Sequence, residues 1–336
     1  MIYYLRYIWK TNNDKMIKLL LLNLIIIMNM LLFLFLSTYC KKCKLNYNEI
    51  CKYCTREIVF KGLNIASREE TLNEIISNNK SIARFGDGEF KIIFGRGIGF
   101  HKSSKLLKNR LLDVLNSNLD NLMIGLNMPY HETELNIRPD DWRDYWKKYI
   151  NKYKFKIINL LNIKKKYYSA LVFRYFHIFK NKKKFDIRSY ILKLRKIWDK
   201  RDILIIEGFF TRNGIGNDLF NNTNSIKRIL CPPENAFLVY KKILNEFQKL
   251  KIAKNILILI SLGPVASILS YDLCKMGYQA LDIGHTDLEY EFYLRRYNAT
   301  KRIPYKYVDQ VKGGKKNIQN ITDQNYYKQI LAKILS

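Results

Sequence analysis

NILILISLGP, residues 255 to 264, decides how this chain folds. Its Ile and Leu run has no polar alternation and stops at Gly-Pro, so it reads as a strand covered on both faces rather than one with a wet side. DILIIEG at 202 to 208, SIARF at 81 to 85, NLMIGLN at 121 to 127 and ALDIG at 280 to 284 have the same character, and SIKRILC at 225 to 231 and SALVFRYF at 169 to 176 read as further strands. Helical stretches separate them. Ser67 and Glu70 form an S-x-x-E capping pattern ahead of Leu72, Ile75 and Ile76, and helices are predicted over 104 to 118, 142 to 161, 186 to 198, 234 to 250 and from Val265. The alternation predicts an α/β chain, Rossmann-like, with a mostly parallel sheet and helices on both faces.

Open parallel sheets bind ligands beyond the carboxyl ends of their strands, so the residues immediately after each strand carry the functional reading. SIARF is followed by GDGE, DILIIE by GFFTRNGIGND, NILILIS by LGP with Gly263 and Pro264, and ALDI by GHTDLEYE. Singly, such glycines punctuate turns and such acids cap helices; four of these turns in one chain point to a site. In GDGE, Asp87 and Glu89 could converge on a divalent cation while Gly86 and Gly88 let a ligand approach the backbone. The competing reading makes Asp87 an N-cap and Glu89 a surface acid. Arg212 suits a bidentate phosphate contact, with Arg84 and Arg174 as further candidates, or else pairs with Asp218 or Glu207. Glu207 or Asp218 is the expected base toward an acceptor hydroxyl. His285 would be a third metal ligand, or a structural histidine paired with Asp287.

The balance of 59 basic against 29 acidic residues, net +30, would suit a polyanionic partner, but the lysines are spread along the chain and no nucleic-acid motif accompanies them. Nucleic acid is not an expected partner. GRGIG at 95 to 99 lacks the strand that a dinucleotide fingerprint requires directly before it. Leu19 to Leu36 carries no charge, is preceded by Lys15 and Lys18, and reads as a single-pass signal anchor. Basic residues on both sides leave its topology open. Cys40, Cys43, Cys51 and Cys54 form two C-x-x-C pairs seven residues apart, open to zinc, to disulfides or to neither role. The expected organisation is an anchor segment over 1–37, a cysteine-bearing stem over 38–60 and a catalytic domain over 61–336.

RFGDGE, IEGFFTRNGIGNDLF, SIKRILCPPENAF, LGPVASILSYDL and GYQALDIGHTDLEYEFYL, in that order, resemble the GT-D-type glycosyltransferase family across about residues 67 to 310. The resemblance implies a nucleotide-sugar donor, commonly UDP-linked, and a D-x-E motif for Mn²⁺ or Mg²⁺, placed here on Asp87 and Glu89. It implies a donor site that includes Arg212, Asn217, Asp218 and His285, and a glycan or glycoprotein acceptor. The sequence departs from the family in having Val265 where a small hydroxyl residue is usual after LGP. A membrane-tethered binding module that kept the fold without catalysis is the alternative.

Overall fold

The computed structural model describes residues 59–130 and 132–335, with Asn23 and Ile27 in addition. The chain divides into two units, Met1–Lys61 and Gly62–Ser336. Apart from Asn23 and Ile27, the expected anchor lies outside the described residues, as do the four N-terminal cysteines. Among the described residues no helix is long and apolar enough to cross a membrane.

Within Gly62–Ser336 the described residues build one nine-stranded sheet in which every recorded pairing is parallel. From the middle outward on one side run β2 (Ser81–Phe85), β3 (Leu122–Leu126) and β4 (Lys166–Ser169), with β1 (Asn64–Ile65) at the edge. On the other side β5 (Asp202–Gly208) and β6 (Ser225–Cys231) are laid down first. Then β7 (Leu257–Ser261) and β8 (Ala280–Asp282) fill the gap inward until β8 meets β2, and β9 (Ile330–Lys333) closes the far edge on β6. β3 and β7 are buried at every position, and β5 at all but its first, so both faces of the sheet are covered as the continuous apolar runs require.

β2 and β8 share a single registered pair, Ile82 with Leu281, whereas β2 and β3 share five. Side chains reinforce this thin seam. The Ser81 hydroxyl donates to Tyr278 O at 3.3 Å and accepts from Ala280 N at 3.0 Å. The helix Pro264–Lys275 packs beneath β2, β7 and β8. Proline at its first turn gives up no intrahelical donor.

Several boundaries differ from expectation. SALVFRYF does not continue as a strand: β4 stops at Ser169, whose Oγ accepts from Leu171 N at 3.2 Å, and Ala170–Phe173 is a 3₁₀ turn. A short buried apolar run lacks the periodicity that separates these states. Gly125 matters there, since a Cβ on it would lie 3.2 Å from the Ala170 backbone. The helix expected from Glu234 begins at Tyr240, after a 3₁₀ turn over Ala236–Val239. GDGE opens a short helix, Asp87–Ile93. The Ser67–Glu70 capping box is formed as expected, with Ser67 N donating to Glu70 at 2.7 Å and Glu70 N donating to Ser67 Oγ at 3.1 Å.

A buried ionic network stiffens the β5–β6 half. Arg228, 1% exposed, donates to Glu207 Oε1 at 2.6 Å, to Asn213 O at 2.9 Å and to Gln329 Oε1 at 2.7 Å. Removing one partner of such a pair strands a charge away from water. Arg228→Met should therefore lose about 3–5 kcal/mol in urea unfolding, and a loss below about 1 kcal/mol, the range of an exposed pair, would show that the network holds nothing.

Candidate active site

A cavity of about 400 Å³ opens over the carboxyl ends of the strands, where β2 and β8 meet. Strands β2 to β8 all contribute the residues just beyond their ends: Gly86 to Glu89 after β2, Asn127 after β3, Ala170 and Leu171 after β4, Thr211 after β5, Pro232 and Pro233 after β6, Gly263 after β7, and Gly284 and His285 after β8. Two further segments supply the remaining wall, the turn Ile98–His101 and the C-terminal stretch Tyr307–Gln310. Lys315 ties these segments together by donating to Gly99 O at 2.8 Å and Glu234 Oε1 at 2.9 Å.

At the floor, Arg84 of β2 donates to Asp282 Oδ1 of β8 at 2.7 Å and to Ala170 O at 3.1 Å. Ser267 on the helix beneath donates to Arg84 O at 2.8 Å and to Asp282 Oδ2 at 3.2 Å. Gly284, at φ +49°, admits this arrangement, because a Cβ there would fall 1.9 Å from Arg84 Nη2. Arg84 is thus committed to the seam, with its Nε buried and without a hydrogen-bond partner.

In GDGE the helix N-cap is Gly86 rather than Asp87, and Glu89, largely shielded from solvent, is not the surface acid of the competing reading. Asp87 and Glu89 stand in the first helical turn, and Gly86 N donates to Glu89 Oε2 at 2.8 Å. Both acids also line the cavity. Asp87 Oδ2 accepts from Lys91 Nζ at 2.7 Å and from the Tyr145 hydroxyl, which itself accepts from Lys91 at 2.8 Å. Glu89 has no such cation: burial, with the negative charges of Asp282 and Asp87 adding to it, pushes its carboxyl up to about 7.

Arg174 also lines the cavity, donating to Glu289 Oε1 at 3.1 Å and to His285 Nδ1 at 2.6 Å. Arginine can only donate, so Nδ1 of His285 accepts and the ring proton sits on Nε2, 3.3 Å from Asp309 Oδ1. Neither ring nitrogen then offers a free lone pair, and the partner is Asp309 rather than the expected Asp287. Among the described residues no group of three or more His, Cys, Asp or Glu is gathered closely enough to hold a metal ion, so His285 does not join Asp87 and Glu89 in a cluster.

A sequence model of the family described as the glycosyltransferase GT-D fold matches residues 82–311. This chain belongs to the GT-D glycosyltransferase family. It is 34% identical over 293 residues to glycosyltransferase GlyD of Streptococcus pneumoniae serotype 4, covering 86% of this chain and 35% of that protein. It is 33% identical over 274 residues to the protein named probable glycosyl transferase Gly of Streptococcus gordonii, covering 81% of this chain and 39% of that one. The chain thus spans between about a third and two fifths of the length of these curated relatives. Among solved structures, a domain described as having a distinct glycosyltransferase fold matches with a TM-score of 0.78 at 32% identity, over 84% of this chain and 99% of that one. A glycosyltransferase from Streptococcus sanguinis matches with a TM-score of 0.75 at 32% identity, over 81% and 99%.

Not every residue singled out from the sequence reaches the cavity of this GT-D domain. Gly86, Gly88, Gly263, Arg84 and Arg174 line it along with Asp87, Glu89 and His285. Pro264 is buried as the first residue of its helix. Glu207, expected as a base, is fully buried between Arg228 and Asn213, whose backbone N and Nδ2 donate to it at 2.7 and 2.8 Å. Arg212 is 4% exposed and donates to Tyr305 O and Gln319 O at 2.8 and 2.7 Å, so it clamps the C-terminal segment and pairs with neither Asp218 nor Glu207. Asn217 donates to Asp287 and Glu291, both at 2.8 Å. Asp218 accepts from the Tyr290 hydroxyl at 2.7 Å and faces Arg195 at 3.3 Å, outside the cavity lining.

Sequence reasoning missed Asp282, Asp309, Lys91 and Asn213 as cavity residues. A lone acid inside the apolar strand ALDI was a legible sign of Asp282; Asp309 comes from a segment with no strand before it.

The raised Glu89 carboxyl makes stability depend on pH. A group that holds its proton more tightly when folded opposes folding once it ionises, so the penalty grows as pH rises from its ordinary 4.5 through about 7. Glu89→Gln cannot ionise and keeps an acceptor for Gly86 N. Without added metal, the variant should melt above the parent at pH 8 and level with it at about pH 4, below the window; equal offsets at both pH values would refute the shift.

Proposed function

We propose that this domain transfers a glycosyl group from a nucleotide-sugar donor, UDP-linked as the motif resemblance implies, to a hydroxyl of a glycan or glycoprotein acceptor. One observation supports the reading above others: in a chain of net +30, the cavity at the β2–β8 seam is lined by five carboxylates, Asp87, Glu89, Asp282, Asp287 and Asp309, against Arg84, Lys91 and Arg174, with the buried Lys306 paired to Asp287 from outside the lining. Such an inversion of the protein's charge balance suits a site completed by a cation.

The residues fit a divalent metal ion held by Asp87 and Glu89. Each spends its recorded side-chain contacts on one oxygen, Oδ2 and Oε2 respectively, and Glu89 lacks a positive partner. Two carboxylates with substrate phosphates and water are the usual complement for Mg²⁺ or Mn²⁺. When bound, the ion would supply positive charge to the departing diphosphate.

In the transfer, the acceptor oxygen bonds to the anomeric carbon as the bond from that carbon to the diphosphate oxygen breaks. The electron pair leaves with the diphosphate, and the hydroxyl proton passes to a wall carboxylate or to water. Arg174, held by Glu289 and His285, presents a fixed cation to the cavity, suited to the donor's phosphates. Lys91 and Tyr145 fix Asp87 in one orientation. Glu207 acts at one remove, by holding Asn213 at the cavity wall. The test is hydrolysis and transfer across a panel of nucleotide sugars with Mn²⁺. The parent should turn over at least one donor, and Asp87→Asn and Glu89→Gln should each lose about 100-fold or more; near-parent turnover in either would overturn the D-x-E assignment.

The uncharged run Leu19 to Leu36 supports a second element of the proposal, a single-pass anchor that keeps the domain at a membrane. After alkaline carbonate extraction, the full-length chain should stay with the membrane pellet, and its release intact would remove the anchor.

A further inference from the structure

Outside the cavity, a ladder of aromatic rings runs from the core to the surface and ends beside Asp87. Phe85, Phe90, Phe94, Tyr153, Tyr149 and Tyr145 follow one another with ring centroids between 5.0 and 6.3 Å apart. The last ring, Tyr145 on the helix Asp140–Ile158, is 40% exposed and lies outside the cavity lining. Trp142, three residues earlier on the same helix face, is half-buried, and both rings rest on the buried Trp146. An exposed tyrosine needs no explanation by itself. What singles this one out is its hydroxyl, which donates to Asp87, while Lys91 binds the two together.

We propose that Tyr145 and Trp142 form the acceptor subsite, a stacking step on the cavity rim that takes a pyranose ring of a glycan. The proposal rests on the reading of the domain as a glycosyl-transferring enzyme. A pyranose has an apolar C–H face and a rim of hydroxyls, and the step offers matching chemistry. The two rings are edged by Asp141 and Asp144, both exposed, and by Arg143 and Lys91, and the Arg138 guanidinium lies 5.1 Å from the Trp142 ring centroid. A protein partner would need an interface of about 1,000 Å² or more, beyond what two rings provide. The stacked sugar would stand one hydrogen bond from the carboxylate that lines the donor cavity, so an acceptor hydroxyl would be presented at the rim while the donor occupies the interior. Rings already stacked to the core lose little freedom on binding, which favours recognition of a weakly held sugar.

The experiment titrates maltotetraose, cellotetraose and chitotetraose by saturation-transfer NMR against the full chain loaded with UDP and Mn²⁺, and measures UDP affinity in parallel. The parent should bind at least one tetrasaccharide. Tyr145→Ala and Trp142→Ala should each weaken that binding about tenfold or more, and Tyr145→Phe, which keeps the ring, by less than about threefold. In Trp142→Ala, which removes a ring that makes no contact with Asp87, UDP affinity should stay within about threefold of the parent. Absence of sugar binding in the parent, unchanged binding in both alanine variants, or an equal loss of UDP binding in Trp142→Ala would overturn the subsite. Failure of the transfer reading shows separately, as a parent that hydrolyses no nucleotide sugar.

Discussion

The ion pair between Arg84 and Asp282 is the contact on which the rest of the site depends. It crosses the seam where two separately built halves of the sheet meet, at a place where the backbone ladder supplies one registered pair. Ser267 backs both partners from below, Ala170 O fixes the second guanidinium arm, and Gly284 leaves the space that the guanidinium fills. Three walls of the cavity start close to this contact: GDGE directly after β2, His285 soon after β8, and the 3₁₀ turn after β4.

Much of the fold was legible because its strands are unmixed. DILIIEG and SIKRILC have the ends that the sequence assigns them, since buried parallel strands need apolar residues at every position and turn residues at their limits. The same logic placed GDGE, LGP and GHTD at the ligand edge. It could not tell which way a side chain leaves that edge. Arg212, Asn217 and Asp218 belong to a turn that does border the cavity, yet Arg212 points to the 305–319 segment and Asn217 to the helix Thr286–Leu294. Whether a polar residue after a strand meets substrate or meets a packed neighbour depends on distant chain. The C-terminal segment, whose path no local pattern announces, is what claims Arg212.

Two kinds of buried charge coexist here. Arg228 with Glu207, and Lys306 with Asp287 and Glu291, are satisfied networks, withdrawn from water and partnered on nearly every side. They fix the turn after β5 and the C-terminal segment in place. Glu89 is different, because burial and acid neighbours leave it short of positive charge. A protein with a surplus of lysine and arginine elsewhere withholds them from this one carboxyl. That local deficit, more than the D-x-E spacing, is what the proposed cation site rests on.

The seam also bears on how the molecule comes into being. Arg84 and Asp282 lie 198 residues apart, so their meeting awaits the ordering of almost everything between them. β2, β3 and β4 can assemble from one stretch of nascent chain, and β5, β6 and β7 from the next, but each such piece supplies only one bank of the cavity. Neither contains a partial catalyst that the other improves. The cavity therefore closes only where β8 bridges β2 and β7, and a chain truncated before β8 would lack the strand that joins the two banks.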